Sequence, residues 1–324
     1  MKKFYANIFP FNKKLLKKTI LNLKKGNIVG LPTETVYGLA GNAYLKRSIK
    51  KIFKIKKRPK FNPLIVHYHN YKKAELDVIF NKDFFKLYNQ LCPGPLTFVL
   101  KKRKKSKILP SVTANLNTVG IRFPNHFIIK KILKDIDFPI AMPSANLFSN
   151  VSPVNAYDVW GEFKHKLKII INGGNSRIGL ESTVIDLTKK PTILRPGAIE
   201  VKVIEKILKK KVYVASKKTK IKSPGMMKVH YSPGIPIYFS KNSIDKNCAI
   251  VTFGNKYISN KNSFNLSKKS DLKEAASNLY KILRKIKKNN YKKIFVVKIP
   301  NKGIGIAIND RLKRASKKYE IRSN

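Results

Sequence analysis

The spacing of apolar residues along the first part of the chain predicts helices and strands in alternation. Residues 14–25 (KLLKKTILNLKK) place apolar side chains at helical intervals with lysines opposite, and Gly26 follows as a stop signal. NIVGLP, residues 27–32, is typical of a short buried strand. PTETVYGLAGNA, residues 32–43, is interpreted as a loop that leads into a second helix over roughly residues 46–56.

The same alternation continues to about residue 211. Strand patterns occur in NPLIVHY, LTFVLKK, TVGIRFP, PIAMPSAN, KIIINGG, STVIDL and TILRPG. Helical patterns occur over residues 83–91 and in FIIKKILKDI and VKVIEKILKK. Because strands and helices are interleaved, we predict an α/β domain over residues 1–211.

The pattern breaks over residues 212–235, which are rich in lysine, serine, glycine and proline, and we interpret them as a linker. Residues 236–324 then repeat a strand, strand, helix and strand rhythm, with helices over roughly residues 271–288 and after GIGIAINDRLKRAS. A second, smaller α/β domain is therefore predicted over residues 236–324. A chain of 324 residues with 43% hydrophobic content has enough apolar surface for two such cores.

The charge of the chain is strongly positive. Seventy lysines and arginines against seventeen acids give a formal net charge of +53, which should attract RNA and other polyanions. The excess is mostly lysine, spread along the whole chain and accompanied by much isoleucine and asparagine. This favours compositional bias as the main cause, with weak non-specific RNA binding as a consequence.

Several protein classes are disfavoured. No apolar run approaches the roughly 20 residues that span a bilayer, and the first residues show no signal peptide, so we expect a cytoplasmic protein without a membrane partner. Cys92 and Cys248 are far apart and predict reduced thiols. The sequence has no phosphate-binding G-x-x-x-x-G-K-[ST] motif and no pattern typical of a metal site.

Small hydroxyls and fixed cations collect in loops that follow predicted strands, where α/β folds place their ligand groups. Four of the cations, namely Lys56, Arg58, Arg122 and Arg195, could together neutralise a triphosphate and a carboxylate. The polar residues of these loops include Thr33, Thr35, Tyr37, Asn62, His67, Thr118, Ser144, Asn146, Ser152, Ser182 and Thr183.

Most of these residues also have a simpler structural interpretation. His67 could be a buried histidine satisfied by the core, Arg58 a surface cation, and Tyr231 a packing aromatic. The threonines could form a turn, and Ser144 with Asn146 a helix cap. Arg122 and Arg195 are harder to explain this way, because each is a lone arginine in an apolar strand of a lysine-rich protein.

Taken in order, the segments PTETVYGL, K-x-R with a following NPL, PGPLTFVL, TVGIR, PSAN, ESTV and LRPG resemble the threonylcarbamoyl-AMP synthase family. The segment SPGMMKVHYSP and the α/β tail are similar to the long, two-domain form of that family. The resemblance implies a YrdC-like twisted mixed sheet with flanking helices, followed by a smaller Rossmann-like α/β domain.

The resemblance also implies roles for individual residues. The catalytic group would be Lys56, Arg58, Ser144 and Arg195. The L-threonine site would consist of Thr35, His67, Arg122, the backbone at Met142, and Ser182. Met142 departs from the family pattern, in which small residues are common. The ATP site would consist of Arg58, Asn62, Thr118, Ser144, Asn146, Ser152, Arg195 and Tyr231.

The implied reaction condenses L-threonine, bicarbonate or CO2, and ATP to threonylcarbamoyl-AMP and pyrophosphate. The product would serve the modification of tRNA next to the anticodon, through a downstream threonylcarbamoyl transferase complex. Mg²⁺ would be carried by ATP, and no protein metal site is expected. Two alternatives remain: a non-catalytic RNA-binding module with the same fold, and a carbamoyl-transferring maturation factor, whose cysteine-pair zinc fingers this sequence lacks.

Overall fold

The computed structural model describes residues 5–216, 222–227, 229–239, 247–257 and 260–320. Residues 217–221 and 228 of the predicted linker lie outside the described residues. The strands are β1 (Ile8–Pro10), β2 (Val29–Leu31), β3 (Gly38–Asn42), β4 (Ile65–His67), β5 (Val78–Ile79), β6 (Leu96–Lys102), β7 (Thr118–Arg122), β8 (Ile140–Ala141), β9 (Ile170–Asn172), β10 (Thr183–Asp186), β11 (Thr192–Arg195), β12 (Tyr213–Val214), β13 (Ile237–Phe239), β14 (Cys248–Thr252), β15 (Ser263–Asn265) and β16 (Lys293–Val296). The helices are α1 (Lys13–Lys24), α2 (Lys46–Lys56), α3 (Tyr71–Ala74), α4 (Lys82–Leu91), α5 (Pro110–Thr113), α6 (Phe127–Lys134), α7 (Ala156–Phe163), α8 (Val201–Leu208), α9 (Leu272–Lys288) and α10 (Gly305–Glu320), with a 3₁₀ turn at Lys164–Lys166.

The first domain is built on a large mixed sheet. Its strand order is β1-β9-β2-β3-β8-β4-β7-β6-β10-β11-β12, and β5 pairs with β6. Strands β4 and β7 run parallel, whereas β6 and β7 run antiparallel. The fold class predicted from the sequence, an α/β protein with a mixed sheet and flanking helices, is confirmed.

Four strands of this sheet, β1, β3, β5 and β12, were not predicted. The segment GLAGN forms β3, which lies between β2 and β8, although the sequence was interpreted there as a loop. Glycine and alanine carry little strand propensity, so the local pattern gives no signal. The position needs small residues because α2 packs closely on the strand. A Cβ on Gly41 would lie 3.0 Å from Cδ1 of Ile52.

The second domain has a parallel sheet in the order β13-β16-β14-β15. Its core contains Leu279 and Leu283 of α9, and it also takes in Val36, Val151 and Leu180 of the first domain. The two domains therefore share apolar packing along one face. The Rossmann-like detail of this domain stays a prediction.

The predicted linker begins as part of the first domain. Strand β12 lies inside residues 212–235 and pairs in parallel with β11. Further along, Gly225 packs against Arg195 at the end of β11, and Ser232 forms a bridge with Asn150. None of the described helices is both long and apolar enough to cross a membrane.

Candidate active site

The register of the large sheet brings the threonine-site candidates together. Arg122, the last residue of β7, pairs with His67 on β4 and with Thr97 on β6. The Thr97 hydroxyl shares a hydrogen bond of 2.7 Å with the Ser182 hydroxyl, which precedes β10. These four side chains are far apart in the sequence. They meet at one end of the sheet because the ends of the paired strands coincide there.

The loop between β2 and β3 forms another side of the site, next to Arg122. The Thr33 hydroxyl donates to the Val36 carbonyl at 2.6 Å, and it accepts from the Val36 amide. This small turn directs the Thr35 hydroxyl towards Arg122, whose Nη1 donates to it at 2.9 Å. Arg122 Nη2 forms a buried ion pair of 2.7 Å with Oε1 of Glu34. The arginine fork is therefore held in place by the loop.

Arg58 enters the site immediately after α2. Lys57 ends that helix in the left-handed region at φ 51°, which turns the chain towards the sheet. The Arg58 Nε donates to the Asn62 carbonyl at 3.0 Å, and its Nη2 donates to Asn62 Oδ1 at 2.6 Å and to the Pro63 carbonyl at 2.8 Å. All three acceptors are uncharged, so the charge of Arg58 is not neutralised by them.

Lys56 has a different position from that of Arg58. Its ammonium group donates to the carbonyls of Ser144 at 2.6 Å and Asn146 at 2.5 Å. The side chain is almost completely buried, and this burial lowers its pKa well below the usual value. Lys56 thus fixes the loop after β8, which carries Met142 and Ser144 into the cavity.

Arg195 lies at the end of β11 and approaches the same cavity from the other side. Its Nη2 donates to the carbonyl of Ser182 at 2.9 Å and to the hydroxyl of Ser182 at 3.1 Å, and its Nη1 donates to the Pro224 carbonyl at 3.3 Å. The chain can pack this closely because residue 197 is glycine. A Cβ there would lie 2.2 Å from the Thr183 amide nitrogen.

The linker forms the outer wall. Gly225, at φ 83°, lies so close that a Cβ would meet Arg195 Cδ at 2.5 Å and the Tyr231 hydroxyl at 2.8 Å. Tyr231 is buried at φ 65°, and its hydroxyl has no hydrogen-bond partner among the described residues. His230 accepts the Tyr231 amide through Nδ1 at 3.0 Å.

These walls enclose a small cavity of about 50 Å³. It brings together most of the residues that the sequence predicted. Asn62, Asn146 and Ser152 are buried but do not line it. Thr118 lies at the other end of β7 from Arg122, is partly exposed, and does not line the cavity. The predicted residues that line the cavity are Thr35, Arg58, His67, Arg122, Met142, Ser144, Ser182, Arg195 and Tyr231.

Glu181 and His230 are among the lining residues to which the sequence gave no role in the site. Glu181 was noted in the GLESTV loop without a role, and His230 was left as structural or exposed, yet both line the cavity. Glu181 accepts hydrogen bonds from Ser152 at 2.6 Å and from Tyr280 of the second domain, and it pairs with Arg311 at 2.9 Å. The available signal was an acid inside a motif loop of a chain with only seventeen acids.

The cavity has an excess of buried positive charge. Arg122 is paired with Glu34, but the donors of Arg58 and Arg195 go to neutral oxygens. Burial, with the nearby Arg195, lowers the pKa of Arg58 to about 9, so it remains charged at neutral pH. Since an uncompensated buried cation is costly, this geometry fits an anionic ligand.

His67 is held in its neutral form. Burial, followed by the charge of Arg122, lowers its pKa to about 3. Its Nδ1 has no hydrogen-bond partner among the described residues. A neutral imidazole can therefore contact a ligand without adding a further positive charge. His230 has a pKa lowered to about 3 as well, mainly by burial.

These two histidines predict that acid destabilises the protein. Their folded pKa lies below the unfolded value, so the unfolded chain binds more protons between about pH 6.5 and 3, and stability falls as the pH drops through that window. Each should reduce the free energy of unfolding by about 2 kcal/mol between pH 7 and pH 5.

Urea denaturation of the His67→Asn variant at both pH values checks this expectation. The variant should lose about half of the contribution of the two histidines. An unchanged pH dependence in that variant would show that His67 is not buried in the neutral form.

The fold and the cavity define the class of this protein: a two-domain α/β protein with a cavity of arginines and hydroxyls that fits an anionic ligand. Comparison with known proteins narrows the class. Residues 22–197 match the Sua5, YciO and YrdC family model described as "Telomere recombination". Residues 199–317 match the model "Threonylcarbamoyl-AMP synthase, C-terminal domain".

Individual relatives are similar to this chain over most of its length. The threonylcarbamoyl-AMP synthase of Pyrococcus abyssi is 37% identical over 317 residues, covering 91% of this chain and 92% of the relative. The synthase of Bacillus subtilis is 33% identical over 320 residues, covering 91% and 90%. A crystal structure of P. abyssi Sua5 complexed with L-threonine superposes with a TM-score of 0.88 and 32% identity, covering 96% of this chain and 97% of that one.

The chain belongs to the threonylcarbamoyl-AMP synthase family, in its two-domain form. The family predicted from the seven sequence motifs is thereby confirmed.

Proposed function

We propose that this protein condenses L-threonine, bicarbonate or CO2, and ATP to threonylcarbamoyl-AMP and pyrophosphate. The observation that carries the proposal is the pair Arg58 and Arg195. Both are buried at one cavity, and neither donates to an acid among the residues that the structure describes. The name of the relatives and the threonine in the P. abyssi crystal structure agree with this chemistry.

The threonine end of the cavity is the edge formed by Arg122. Its guanidinium would bind the threonine carboxylate, because a planar fork pairs two oxygens at once. Thr35 is hydrogen-bonded to Arg122 and would contact the same substrate. His67 and Ser182 would contact threonine as neutral groups, and Met142 would do so through its backbone.

The nucleotide end is the side where Arg58 and Arg195 lie. Their guanidinium groups would bind phosphate oxygens, with Ser144 beside them. Lys56 would act indirectly, since its ammonium group is engaged by the carbonyls of the Ser144 loop. Further contacts with ATP are assigned on the family resemblance to Asn62, Thr118, Asn146, Ser152 and Tyr231.

The cavity must widen before ATP enters. Its volume of about 50 Å³ is far below the roughly 300–1,000 Å³ of pockets that hold molecules of nucleotide size. The outer wall consists of Pro224, Gly225, His230 and Tyr231 of the linker. We therefore propose that these segments move outward when ATP binds.

The reaction needs positioning and charge neutralisation more than a covalent nucleophile. The threonine amine forms a bond with the carbon of CO2 and loses a proton, which gives a carbamate. A carbamate oxygen then attacks the α-phosphorus, the bond to the β-phosphate oxygen breaks, and pyrophosphate leaves with the electron pair. Fixed arginines stabilise the charge that develops on the phosphate oxygens.

ATP chemistry in this family calls for a divalent metal, and we propose Mg²⁺ carried by the triphosphate. Glu34 and Glu181, the acids of the motif loops, are each held by an arginine. Among the described residues no group of three or more His, Cys, Asp or Glu side chains could hold a metal ion. The metal would thus enter as part of the substrate.

The product would pass to a threonylcarbamoyl transferase complex that modifies tRNA next to the anticodon. A cytoplasmic location stays a prediction, as does weak, salt-dependent binding of RNA by the dispersed lysines. The non-catalytic RNA-binding module is the second candidate, and the charge of +53 is the observation in its favour.

Release of pyrophosphate from ATP by the purified protein tests the proposal. Threonine and bicarbonate are each supplied or withheld, and release is expected only when both are present. A folded protein that releases no pyrophosphate with both substrates would refute the enzyme and favour the RNA-binding module.

Removal of the second domain should weaken nucleotide binding. A chain that ends after residue 211 lacks His230 and Tyr231, which form part of the cavity wall. It also exposes apolar residues such as Val154 and Leu180, which pack in the core of the second domain. We expect at least a tenfold loss of ATP affinity, measured by calorimetry. Full affinity and activity in the shortened chain would show that the second domain has no part in the site.

A further inference from the structure

The last helix of the second domain reaches the nucleotide end of the cavity. Arg311 on α10 is only 1% exposed. Its Nε donates to Oε2 of Glu181 at 2.9 Å, and its Nη1 donates to the Pro196 carbonyl at 3.0 Å. The guanidinium carbon lies 4.9 Å from the centre of the Tyr231 ring, within range of a cation–π contact. One side chain thus touches the ESTV loop, the LRPG loop and the linker.

The same helix also holds the linker through its backbone and a second arginine. The His230 amide donates to the Arg314 carbonyl at 3.3 Å, and Arg314 Nη1 donates to the Met227 carbonyl at 2.5 Å. Asp310 accepts from both Arg311 and Arg314. This arrangement fixes the position of Arg311 relative to the wall of the cavity.

Glu181 is an acid that lines the same cavity as Arg58 and Arg195. Its carboxylate is buried, yet its pKa is lowered to about 2, because Arg311, Arg195 and the Ser152 hydroxyl outweigh the effect of burial. The carboxylate contacts Arg311 directly, whereas the donors of Arg195 go to Ser182 and Pro224. Arg311 therefore holds the acid that would otherwise be available to Arg195.

We propose that Arg311 is a positioning residue for ATP binding. By engaging Glu181, it keeps Arg195 free of an acidic partner, and it supports Tyr231 from behind. This inference rests on the proposed function only in naming ATP as the anion. It gives the second domain a specific electrostatic task in the site, in addition to its shared apolar packing.

The test compares Arg311→Met with Lys313→Met in the full chain. Lys313 is exposed on the same helix, so its replacement makes an equal change in charge away from the cavity. Calorimetry measures the Kd of ATP and of threonine, and pyrophosphate release gives the KM for each. Arg311→Met should raise the Kd and KM for ATP about tenfold or more, and those for threonine less than about twofold. Lys313→Met should change neither.

A second exchange separates positioning from simple destabilisation. Adding Glu181→Gln to Arg311→Met removes the acid that would turn to Arg195, and it should recover most of the lost ATP affinity. The proposal is wrong if Arg311→Met leaves the ATP affinity unchanged or lowers the affinities for ATP and threonine equally. It is also wrong if adding Glu181→Gln does not restore ATP affinity.

The role of Arg311 can still be tested if Arg311→Met does not fold or if the protein does not catalyse the proposed reaction. If Arg311→Met does not fold, Arg311→Lys retains the charge but loses the fork, and it should show a smaller, ATP-selective defect. Wild-type protein that binds ATP without releasing pyrophosphate would refute the proposed reaction, and the calorimetric comparison of ATP affinities would still decide the role of Arg311.

Discussion

Replacing Arg195 by methionine is expected to lower kcat/KM for ATP by about 10² to 10³-fold, measured by pyrophosphate release. Arg195 is 3% exposed and donates to the Ser182 and Pro224 carbonyls and to the Ser182 hydroxyl, and it forms no ion pair within the described part of the chain. In the proposed reaction, a cation held in this way would be available to the phosphates throughout. Its loss removes stabilisation where negative charge develops, so kcat should fall together with kcat/KM.

Lys189→Met provides the matched control for this change. Lys189 lies in the exposed turn before β11, so its replacement removes the same charge far from the cavity. It should retain wild-type kinetics. An Arg195→Met protein that folds and releases pyrophosphate at a wild-type rate would exclude Arg195 from the phosphate site, and a similar loss in Lys189→Met would indicate a general effect of net charge.

The second large effect is expected at the threonine end. Replacing Arg122 by methionine should weaken threonine binding by about 100-fold or more, because the variant lacks the buried guanidinium that we propose binds the carboxylate. ATP affinity, measured by calorimetry without threonine, should change much less. The substitution also leaves Glu34 buried without its partner, which we expect to reduce stability by about 3–5 kcal/mol.

The stability effect can be separated from the binding effect. Glu34→Gln combined with Arg122→Met removes both charges, so the double variant should be more stable than Arg122→Met and still fail to bind threonine. Lys101→Met, on the exposed part of β6, serves as the charge-matched control. Threonine affinity that returns in the double variant would contradict a direct role for Arg122.

Much of the fold could be predicted from local patterns. Strand β6 was predicted residue for residue, and α2 was predicted with its observed bounds, because their apolar spacing is regular over a whole element. Strand β3 was missed because its glycines and alanine carry no strand signal. Its neighbours β2 and β8 supply the hydrogen bonds that make it a strand.

The residues of the candidate site also divide into those that the sequence predicted and those that only the tertiary structure placed. The sequence pointed to Arg122 and Arg195 because each is a lone arginine in an apolar strand of a lysine-rich chain, and to Arg58 through the motif that resembles the family. The pattern could not show that Lys56 turns away to hold a loop, or that Thr118 lies apart from the cavity. Both outcomes depend on hydrogen-bond partners and register that are set by residues far away in the sequence.

The sequence by itself determined the order of most elements, the α/β class and the residue types available for binding an anion, because these depend on local periodicity and composition. The tertiary structure alone decided which charges remain free. Glu34 was paired with Arg122, and Glu181 with Arg311 from the opposite end of the chain. Ion pairs between distant residues form only when the sheets have brought their backbones together. The excess charge of this cavity is therefore a property of the packed domains.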